Sequence, residues 1–219
     1  DMILCDLPYG TTACKWDTII PFEPLWTQYK RLIKDNGAIV LTASQPFTSA
    51  LVMSNIKWFK YEWVWDKIIG VGFQTAKYRP MMRHENILVF CNGTLIYYPI
   101  KTERVKPITG YATKSEHYPK ANFDKKQRTY TDKYPTSIIE FKKIKNTIHP
   151  TQKPVALFEY LIRTYTNEGG MVLDNCAGSG TTGIAAFNTK RNAILIEKDE
   201  IYFNAAKERF DRETRQVAM

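Results

Sequence analysis

The sequence contains no stretch of roughly eighteen consecutive apolar residues, so no membrane span is expected. No signal peptide is recognisable. The four cysteines include no C-x-x-C pair, which predicts reduced thiols and no metal site: Cys5, Cys14, Cys91 and Cys176. The chain begins at Asp1 rather than at a methionine, and we expect it to be a fragment that lacks an N-terminal piece. Repeats and low-complexity segments are also lacking, so the 219 residues fit one α/β domain with an insertion.

Positive charge is what the sequence has in excess. Its 31 Lys and Arg against 22 Asp and Glu give a net charge of +9. Most of the excess lies between Lys101 and Lys145, where twelve basic residues stand against five acidic ones. A polyanionic partner is therefore expected, and it would meet this segment.

The most informative stretch is 171–183, where an apolar run leads into a polar turn and then into a helical pattern. Three glycines stand where a side chain would obstruct a ligand on the backbone: Gly178, Gly180 and Gly183. About twenty residues past the first glycine, a second apolar run ends in Glu197, where an acid can bind both hydroxyls of a ribose. The pattern predicts a strand, a turn and a helix that bind a cofactor containing adenosine.

The residues before the first glycine narrow the choice of cofactor. In a dinucleotide site the glycine follows the strand almost directly, whereas here residues 174–177 intervene. Asp174 at the strand tip would repel a phosphate, but it suits a positively charged amino or sulfonium group. S-adenosylmethionine has both groups. Only about twenty residues follow Glu197, so the other strands of the sheet must come from upstream.

The first ninety residues supply those strands. Apolar and aromatic runs predict strands at 2–5, 38–43, 58–65 and 85–90, and helical spacing predicts helices over 22–33 and 46–56. The last two strands have no helix between them, so they are expected to be antiparallel. Later in the chain, we predict a helix through Leu157, Leu161 and Ile162, and a last helix over 202–212.

Two short polar motifs remain. Asp6-Leu7-Pro8-Tyr9 follows the first strand, at the carboxyl end where α/β sheets place ligands, although these residues are also ordinary turn formers. The second motif is the hexapeptide His149-Pro-Thr-Gln-Lys-Pro154. Taken alone, a histidine such as His149 more often caps or packs than catalyses.

Residues 91–148 break the regular pattern. They are basic and contain six tyrosines without a long period: Tyr97, Tyr98, Tyr111, Tyr118, Tyr130 and Tyr134. One interpretation is a solvated, partly mobile insertion. The other is a nucleic-acid surface, because lysine and arginine neutralise phosphates while tyrosine stacks on bases. The position of the segment between two nucleotide-fold halves favours the second interpretation.

The tetrad, a basic middle, the hexapeptide and then 174–180, in this order, resemble the amino-group DNA methyltransferases and, more narrowly, their permuted β group. The resemblance covers nearly the whole chain outside 91–148. It implies an α/β, Rossmann-like fold that depends on S-adenosylmethionine, with a mixed, mostly parallel sheet and an antiparallel edge strand. It also implies a catalytic half at 1–90, a target recognition insertion at 91–148 and a cofactor-binding half at 149–219.

By this resemblance the tetrad is catalytic. Asp6 and the Pro8 carbonyl would accept the two N–H bonds of an exocyclic amine, which frees its lone pair to attack the sulfonium methyl. Tyr9 would stack on a base flipped out of the duplex. Leu7 departs from the proline more usual in the family, with little effect expected because the family uses the backbone there. No covalent enzyme intermediate is needed, so Cys5 need not be a nucleophile.

The cofactor residues are likewise assigned by the resemblance. The methionine end would meet Asp174, Ala177, Gly178 and Gly180, with Thr181 and Thr182 at the helix start. Glu197 would bind the ribose, with Lys198 and Asp199 by the adenine. Asp6 is also assigned to the methionine amino group, and the hexapeptide would line the carboxylate side through His149, Thr151, Gln152 and Lys153.

An aspartate at the head of the tetrad resembles the adenine-N6 subgroup, whereas similar cytosine-N4 enzymes usually carry serine. The expected partner is double-stranded DNA, with the protein a cytoplasmic, nucleoid-associated monomer or homodimer of bacterial or phage origin. Three alternatives stay open at this point: cytosine-N4 methylation, a methyltransferase fold that only binds DNA, and methylation of RNA or of a protein glutamine. The target sequence cannot be inferred from 91–148.

Overall fold

The structure is a computed structural model that describes residues 1–12, 14, 16–110, 127–145 and 147–215. The chain forms two compact units. Unit 1 consists of Asp1–Tyr98 and Ser137–Met219, and unit 2 of Pro99–Thr136. Within the described residues, the helices are too short or too polar to span a bilayer.

Unit 1 alternates strands and helices. The strands are β1 (Met2–Cys5), β2 (Ala38–Ala43), β3 (Phe59–Val71), β4 (Met82–Phe90), β7 (Ile138–Glu140), β8 (Met171–Asp174) and β9 (Asn192–Leu195). The helices are α1 (Phe22–Leu32), α2 (Phe47–Ser54), α3 (Val155–Tyr165), α4 (Thr181–Asn188) and α5 (Glu200–Arg215), with a 3-10 turn at Phe73–Thr75. Unit 2 contains β5 (Thr102–Gly110) and β6 (Arg128–Lys133). The predicted strands and helices of 1–90 and 149–212 are confirmed, with bounds that differ by a few residues, except that β3 and β4 are longer.

The seven strands of unit 1 form one sheet in the order β7-β3-β4-β2-β1-β8-β9. Strand β1 pairs in parallel with β2 and β8, β8 with β9, and β3 with β7, while β4 is antiparallel to both β2 and β3. The predicted mixed, mostly parallel sheet and the antiparallel pairing of β3 with β4 are thus confirmed. The position of the antiparallel strand differs from the expected edge, because β3 and then β7 add outside β4.

Both faces of the sheet are covered, which explains why the central strands are continuous apolar runs. Met2 and Leu4 of β1 point to one face, where they join a core formed with α3 and α4. Ile3 and Cys5 point to the other face and pack with residues of α1 and α2. Each face therefore buries alternate residues of the same short strand, and β1 lies in the interior of the sheet between β2 and β8.

Unit 2 lies inside the predicted insertion 91–148, and the flanking described residues group with unit 1. Its antiparallel ribbon aligns Thr102 with Lys133 and Gly110 with Arg128. Almost all of its strand side chains are exposed. Tyr130 and Tyr134 belong to this unit, Tyr97 and Tyr98 to unit 1, and Tyr111 and Tyr118 lie outside the described residues.

Candidate active site

The carboxyl ends of three neighbouring parallel strands meet at one edge of the sheet. The pairing of Ile3 with Leu173, and of Asp174 with Leu195, brings the segments after β1, β8 and β9 together. These segments line one cavity of about 620 Å³. Ligand sites of α/β sheets lie at this edge, and the volume is within the ordinary range for small-molecule pockets.

Most residues singled out from the sequence line this cavity. They are Asp6, Leu7, Pro8, Tyr9, His149, Thr151, Gln152, Lys153, Asp174, Ala177, Gly178, Thr181, Thr182, Glu197, Lys198 and Asp199. Gly180 is not among the lining residues. It precedes α4 with a φ of 72°, and a Cβ atom there would lie 3.1 Å from the Cβ of Ala206 in α5. Gly180 thus shapes the turn and lets α5 approach it closely.

Asp6 is held by three side chains. Its Oδ1 atom accepts hydrogen bonds from the Tyr9 hydroxyl at 2.8 Å and from the Thr42 hydroxyl of β2. Its Oδ2 atom accepts one from the Lys153 ammonium at 2.7 Å. A carboxylate offers about four acceptor positions, so these partners leave capacity for about one more donor.

Lys153 belongs to a chain of four alternating charges. Its Nζ atom also lies 3.4 Å from Glu85 Oε2, and Glu85 Oε1 lies 2.6 Å from the Nζ atom of Lys67. Both lysines are only 6% exposed. Buried charges of this kind persist only when they are paired. The hexapeptide thus delivers Lys153 to the tetrad, a contact that its assignment to the cofactor did not anticipate.

The pairing of these four charges determines the direction in which the pKa values of Lys153 and Glu85 are shifted. Burial alone would lower the pKa of Lys153, but the carboxylates of Asp6 and Glu85 hold it above its usual value. Burial would raise the pKa of Glu85, but Lys153 and Lys67 hold it below its usual value. Both groups are therefore charged at neutral pH.

Tyr9 is anchored at both ends. Its hydroxyl contacts Asp6, and its ring stacks on Phe47 with centroids 5.3 Å apart and an interplanar angle of 25°. The Lys153 ammonium lies 5.7 Å from the Tyr9 ring centroid. Phe47 covers one part of the ring, so the orientation of Tyr9 is set before any ligand arrives.

Asp174 is buried beneath the turn of residues 175–180, called the glycine turn below. One of its oxygens accepts the backbone N–H of Cys176 at 3.0 Å, and the other accepts the hydroxyl of Thr182. Burial raises the pKa of Asp174 to about 6, although these hydrogen bonds and the Cys5 thiol oppose the change and only the nearby Asp6 reinforces it. The carboxylate is thus costly to ionise in the unliganded protein.

This cost predicts a pH-dependent effect of Asp174→Asn. The pKa in the folded protein exceeds the value of about 3.9 for an unfolded chain, so the folded state holds a proton that the unfolded state loses. The group therefore lowers stability as the pH rises from about 4 through 6. We expect Asp174→Asn to raise the free energy of unfolding by on the order of 2 kcal/mol at pH 7.5, and by little at pH 4. Urea unfolding at both pH values measures this, and equal effects at both would contradict it.

Glu197 closes the turn from the next strand. Its Oε2 atom accepts the backbone N–H of Gly178 at 2.7 Å, and its Oε1 atom accepts that of Asp199 at 2.9 Å. Gly178 has a φ of 50°, which favours glycine. The carboxylate is thus fixed at the cavity wall with acceptor capacity left for ligand hydroxyls.

His149 packs between aromatic rings. Its ring centroid lies 4.2 Å from that of Tyr202 and 5.0 Å from that of Trp16, and its Nδ1 atom is 3.0 Å from the Thr151 hydroxyl. Burial lowers the pKa of His149 despite nearby carboxylates. Gln152 Oε1 accepts the backbone N–H of Ile148. The hexapeptide therefore forms a packed cavity wall, in keeping with the packing interpretation of His149.

Several site residues were missed in the sequence. Trp16, Asp17 and Tyr202 also line the cavity, and Thr42, Glu85 and Lys67 support Asp6 and Lys153. Asp17 accepts the backbone N–H groups of residues 10, 11 and 12, which fixes the loop after the tetrad. The sequence contained a signal for two of these residues, because each is a charged residue next to an apolar run. Lys67 follows the aromatic run of β3, and Glu85 precedes the apolar run that begins at Ile87.

No group of three or more His, Cys, Asp or Glu side chains suited to a metal ion occurs among the described residues.

Comparisons with known proteins identify relatives of this chain. A family model described as "DNA methylase", for N6 and N4 enzymes, matches residues 1–208. The type II methyltransferase M.HpaI of Haemophilus parainfluenzae is 29% identical over 231 residues, covering 97% of this chain and 68% of that protein.

Two further relatives are similar over most of their length. The DNA adenine methyltransferase YhdJ of Escherichia coli K12 is 28% identical over 237 residues, covering 96% of this chain and 76% of that protein. The crystal structure of an M1.HpyAVI–SAM complex has a TM-score of 0.63 and 27% identity, covering 95% of this chain and 88% of that one.

Proposed function

The chain belongs to the N6/N4 DNA methylase family, and from this membership and the cavity we propose that it transfers a methyl group from S-adenosylmethionine to adenine N6 in DNA. The observation that carries the proposal is the single cavity lined by both Asp6 and Glu197. The tetrad and the glycine turn lie far apart in the chain, yet they follow neighbouring strands. The order of the motifs, with the tetrad first, supports assignment to the permuted β group with a D-L-P-Y tetrad.

The residues of the cavity fit S-adenosylmethionine. Asp174 would meet a cationic group, which would relieve the cost of ionising a buried carboxylate. Glu197 would accept the ribose hydroxyls, and Gly178 leaves the turn open to the ligand. Lys198 and Asp199 stand beside Glu197 at the same wall. When bound, the cofactor supplies a sulfonium methyl group as the electrophile.

Asp6 is the acceptor that prepares the target amine. Tyr9, Thr42 and Lys153 leave it capacity for about one further N–H, and the Pro8 carbonyl would accept the other N–H of the amine. Accepting both bonds favours a tetrahedral nitrogen, whose lone pair attacks the methyl carbon as the carbon–sulfur bond breaks. The nitrogen then loses one proton to water. Tyr9 would stack on the flipped base.

No enzyme nucleophile is required for this reaction. Cys5, directly before Asp6, is fully buried in the core. Burial raises the pKa of the Cys5 thiol well above its usual value, so no thiolate is available at neutral pH. A covalent mechanism through Cys5 is therefore disfavoured.

The proposed substrate class rests on the positive charge of this chain and on the names of its relatives. The basic segment 91–148, including the ribbon of unit 2 with its exposed Tyr134, suits phosphates and bases of double-stranded DNA. Asp6 at the head of the tetrad and the name of YhdJ support adenine over cytosine. The names of M.HpaI and other relatives as type II methyltransferases support a role in restriction and modification, and hence a protein of the bacterial cytoplasm.

The proposal is tested by incubating the protein with tritiated S-adenosylmethionine and unmethylated plasmid DNA. We expect the label to enter DNA, and nucleoside mass spectrometry to find N6-methyladenine. N4-methylcytosine would instead reassign the base, and label in RNA or protein only would overturn the DNA assignment. Binding of duplex DNA without transfer of the label to any substrate would indicate a methyltransferase fold that only binds DNA.

Glu197→Gln is expected to weaken the binding of S-adenosylhomocysteine by about tenfold or more, because hydrogen bonds to a charged group contribute about 1.5–3 kcal/mol. The glutamine side chain would keep one acceptor oxygen. Its NH₂ group would face either the ribose hydroxyls or one of the two backbone N–H groups that donate to the carboxylate in the wild type. Isothermal titration calorimetry measures the change. The matched control is Glu200→Gln at the exposed start of α5, and equal affinities of the two variants would contradict the ribose assignment.

A further inference from the structure

The β3–β4 hairpin, residues 67–84, extends beyond the edge of the sheet that carries the cavity. Cys5 of β1 pairs with Leu41 of β2, and Ala43 of β2 pairs with Asn86 of β4. Asp6, one residue past Cys5, is therefore close to the level of Asn86. Strand pairing of β3 with β4 continues to Val71 and Met82, and Met82 is four residues from Asn86, or about 13 Å further at the usual rise of a strand.

The tip of this hairpin presents two large rings to solvent. Phe73 is 79% exposed and Tyr78 is 88% exposed. Large apolar side chains this open have little stabilising role in the folded unit, since they bury almost no surface. Their exposure beyond the sheet edge that carries the cavity suggests that they contact a partner.

Charge indicates the kind of partner. Between Asp66 and Glu85 the sequence has basic residues and no acidic one. Lys67 and Arg83 are paired with Glu85 and Asp66 at the base of the hairpin. Exposed Lys77 and Arg79 remain at the tip, and among the residues that the structure describes, the partner of Arg79 Nε is a neutral hydroxyl, that of Thr75, at 3.1 Å. Aromatic rings beside cations suit the bases and phosphates of a nucleic acid.

Asp66 links the two strands at the base of the hairpin. Asp66 accepts both guanidinium nitrogens of Arg83 at 2.8 Å and the backbone N–H of Ile68 at 2.7 Å. Ile68 has a φ of 69°, a conformation that is strained for a β-branched residue. The Asp66 contacts thus support this strained turn at the base of the hairpin.

We propose that the β3–β4 hairpin is a second DNA-contacting element, separate from residues 91–148. Phe73 and Tyr78 pack against bases next to the flipped target, while Lys77 and Arg79 contact the adjacent phosphates. This inference rests on the proposed function, because it places the hairpin beside the base that Asp6 would receive. A ring inserted beside the target would occupy the space left in the stack, which favours the flipped state.

Two double variants test the hairpin in the intact chain. For Lys77→Gln/Arg79→Gln, we expect fluorescence anisotropy with a labelled 30-base-pair duplex to show about tenfold weaker binding, and the slope of log K against log salt to fall by about 2. For Phe73→Ala/Tyr78→Ala, we expect methyl incorporation into plasmid DNA to fall by about tenfold or more. Affinity for S-adenosylhomocysteine should be unchanged in both, which excludes misfolding of the cavity.

The controls are matched in chemistry and lie away from the hairpin tip. Lys57→Gln/Lys60→Gln removes two exposed cations at the opposite end of β3, and Met53→Ala removes a 71% exposed apolar side chain of α2. If both hairpin variants bind duplex and methylate like these controls, the inference is wrong. If the two hairpin variants alter the sedimentation coefficient of the protein but neither duplex binding nor methylation, the hairpin is an interface between copies of this chain. The proposed DNA contact would then be wrong. Failure of the wild-type chain to methylate DNA refutes the proposed function, while the anisotropy still tests the hairpin.

Discussion

Replacing Asp6 with asparagine is expected to slow methyl transfer by about 100-fold or more at saturating S-adenosylmethionine, because removing one preorganised polar group at a reacting centre typically costs this much. The amide differs from the carboxylate in charge and in acceptor capacity, and not in size. It has one acceptor oxygen instead of two, and its NH₂ group would face either the Lys153 ammonium or the hydroxyls of Tyr9 and Thr42. Either arrangement removes the negative charge and leaves one oxygen to serve both the remaining protein donors and the target amine, so the amine nitrogen is held less well in a tetrahedral state.

The measurement is single-turnover transfer of tritiated methyl groups to plasmid DNA, with binding of S-adenosylhomocysteine measured in parallel. We expect that binding to fall far less than the rate, since Asp174 and Glu197 line the cofactor end of the cavity. Asp6→Ala should be as slow as Asp6→Asn, and Glu23→Gln at an exposed position of α1 should match the wild type. An Asp6→Ala protein that methylates at the wild-type rate would show that the mechanism is wrong.

The sequence was sufficient to predict the framework that brings the two motifs together. Strands β1, β2 and β8 are short apolar runs because both of their faces are buried, and their polar successors mark the carboxyl edge. Strand β7 has only three residues, one of them buried, so no periodic pattern could indicate it. The lengths of β3 and β4 were underestimated because their pairing continues into exposed residues, where alternation carries no signal.

The support of Asp6 could not be predicted in the same way. Lys153 is 147 residues from Asp6 in sequence, and their contact depends on where the hexapeptide crosses the sheet edge before α3. Glu85 and Thr42 reach the same cluster only because β2 and β4 pair in one particular register. Long-range register of this kind is set by packing of the whole sheet, and a one-residue slip of β4 would turn Glu85 to the other face, away from Thr42.

Lys153→Met is expected to lower the free energy of unfolding by about 3–5 kcal/mol, the usual cost of removing one partner from a buried ion pair. Lys153 is 6% exposed and lies 2.7 Å from Asp6 and 3.4 Å from Glu85. Methionine matches the length of the lysine stem but carries no charge. Two carboxylates would then share a buried region with only Lys67 beside them, on the side of Glu85. Urea unfolding at pH 7.5 measures the loss.

A double variant separates the charge from the packing. If Lys153 serves to balance both carboxylates, Glu85→Gln should be destabilising in the wild type and much less so when Lys153 is already methionine, because one unpaired charge has been removed. Lys198→Met, at an exposed position of the same cavity, should change stability little. Strict additivity of Lys153→Met and Glu85→Gln would show that the two residues act independently. In that case Glu85 would have no part in orienting Asp6, and Lys153, Tyr9 and Thr42 would hold the carboxylate without it.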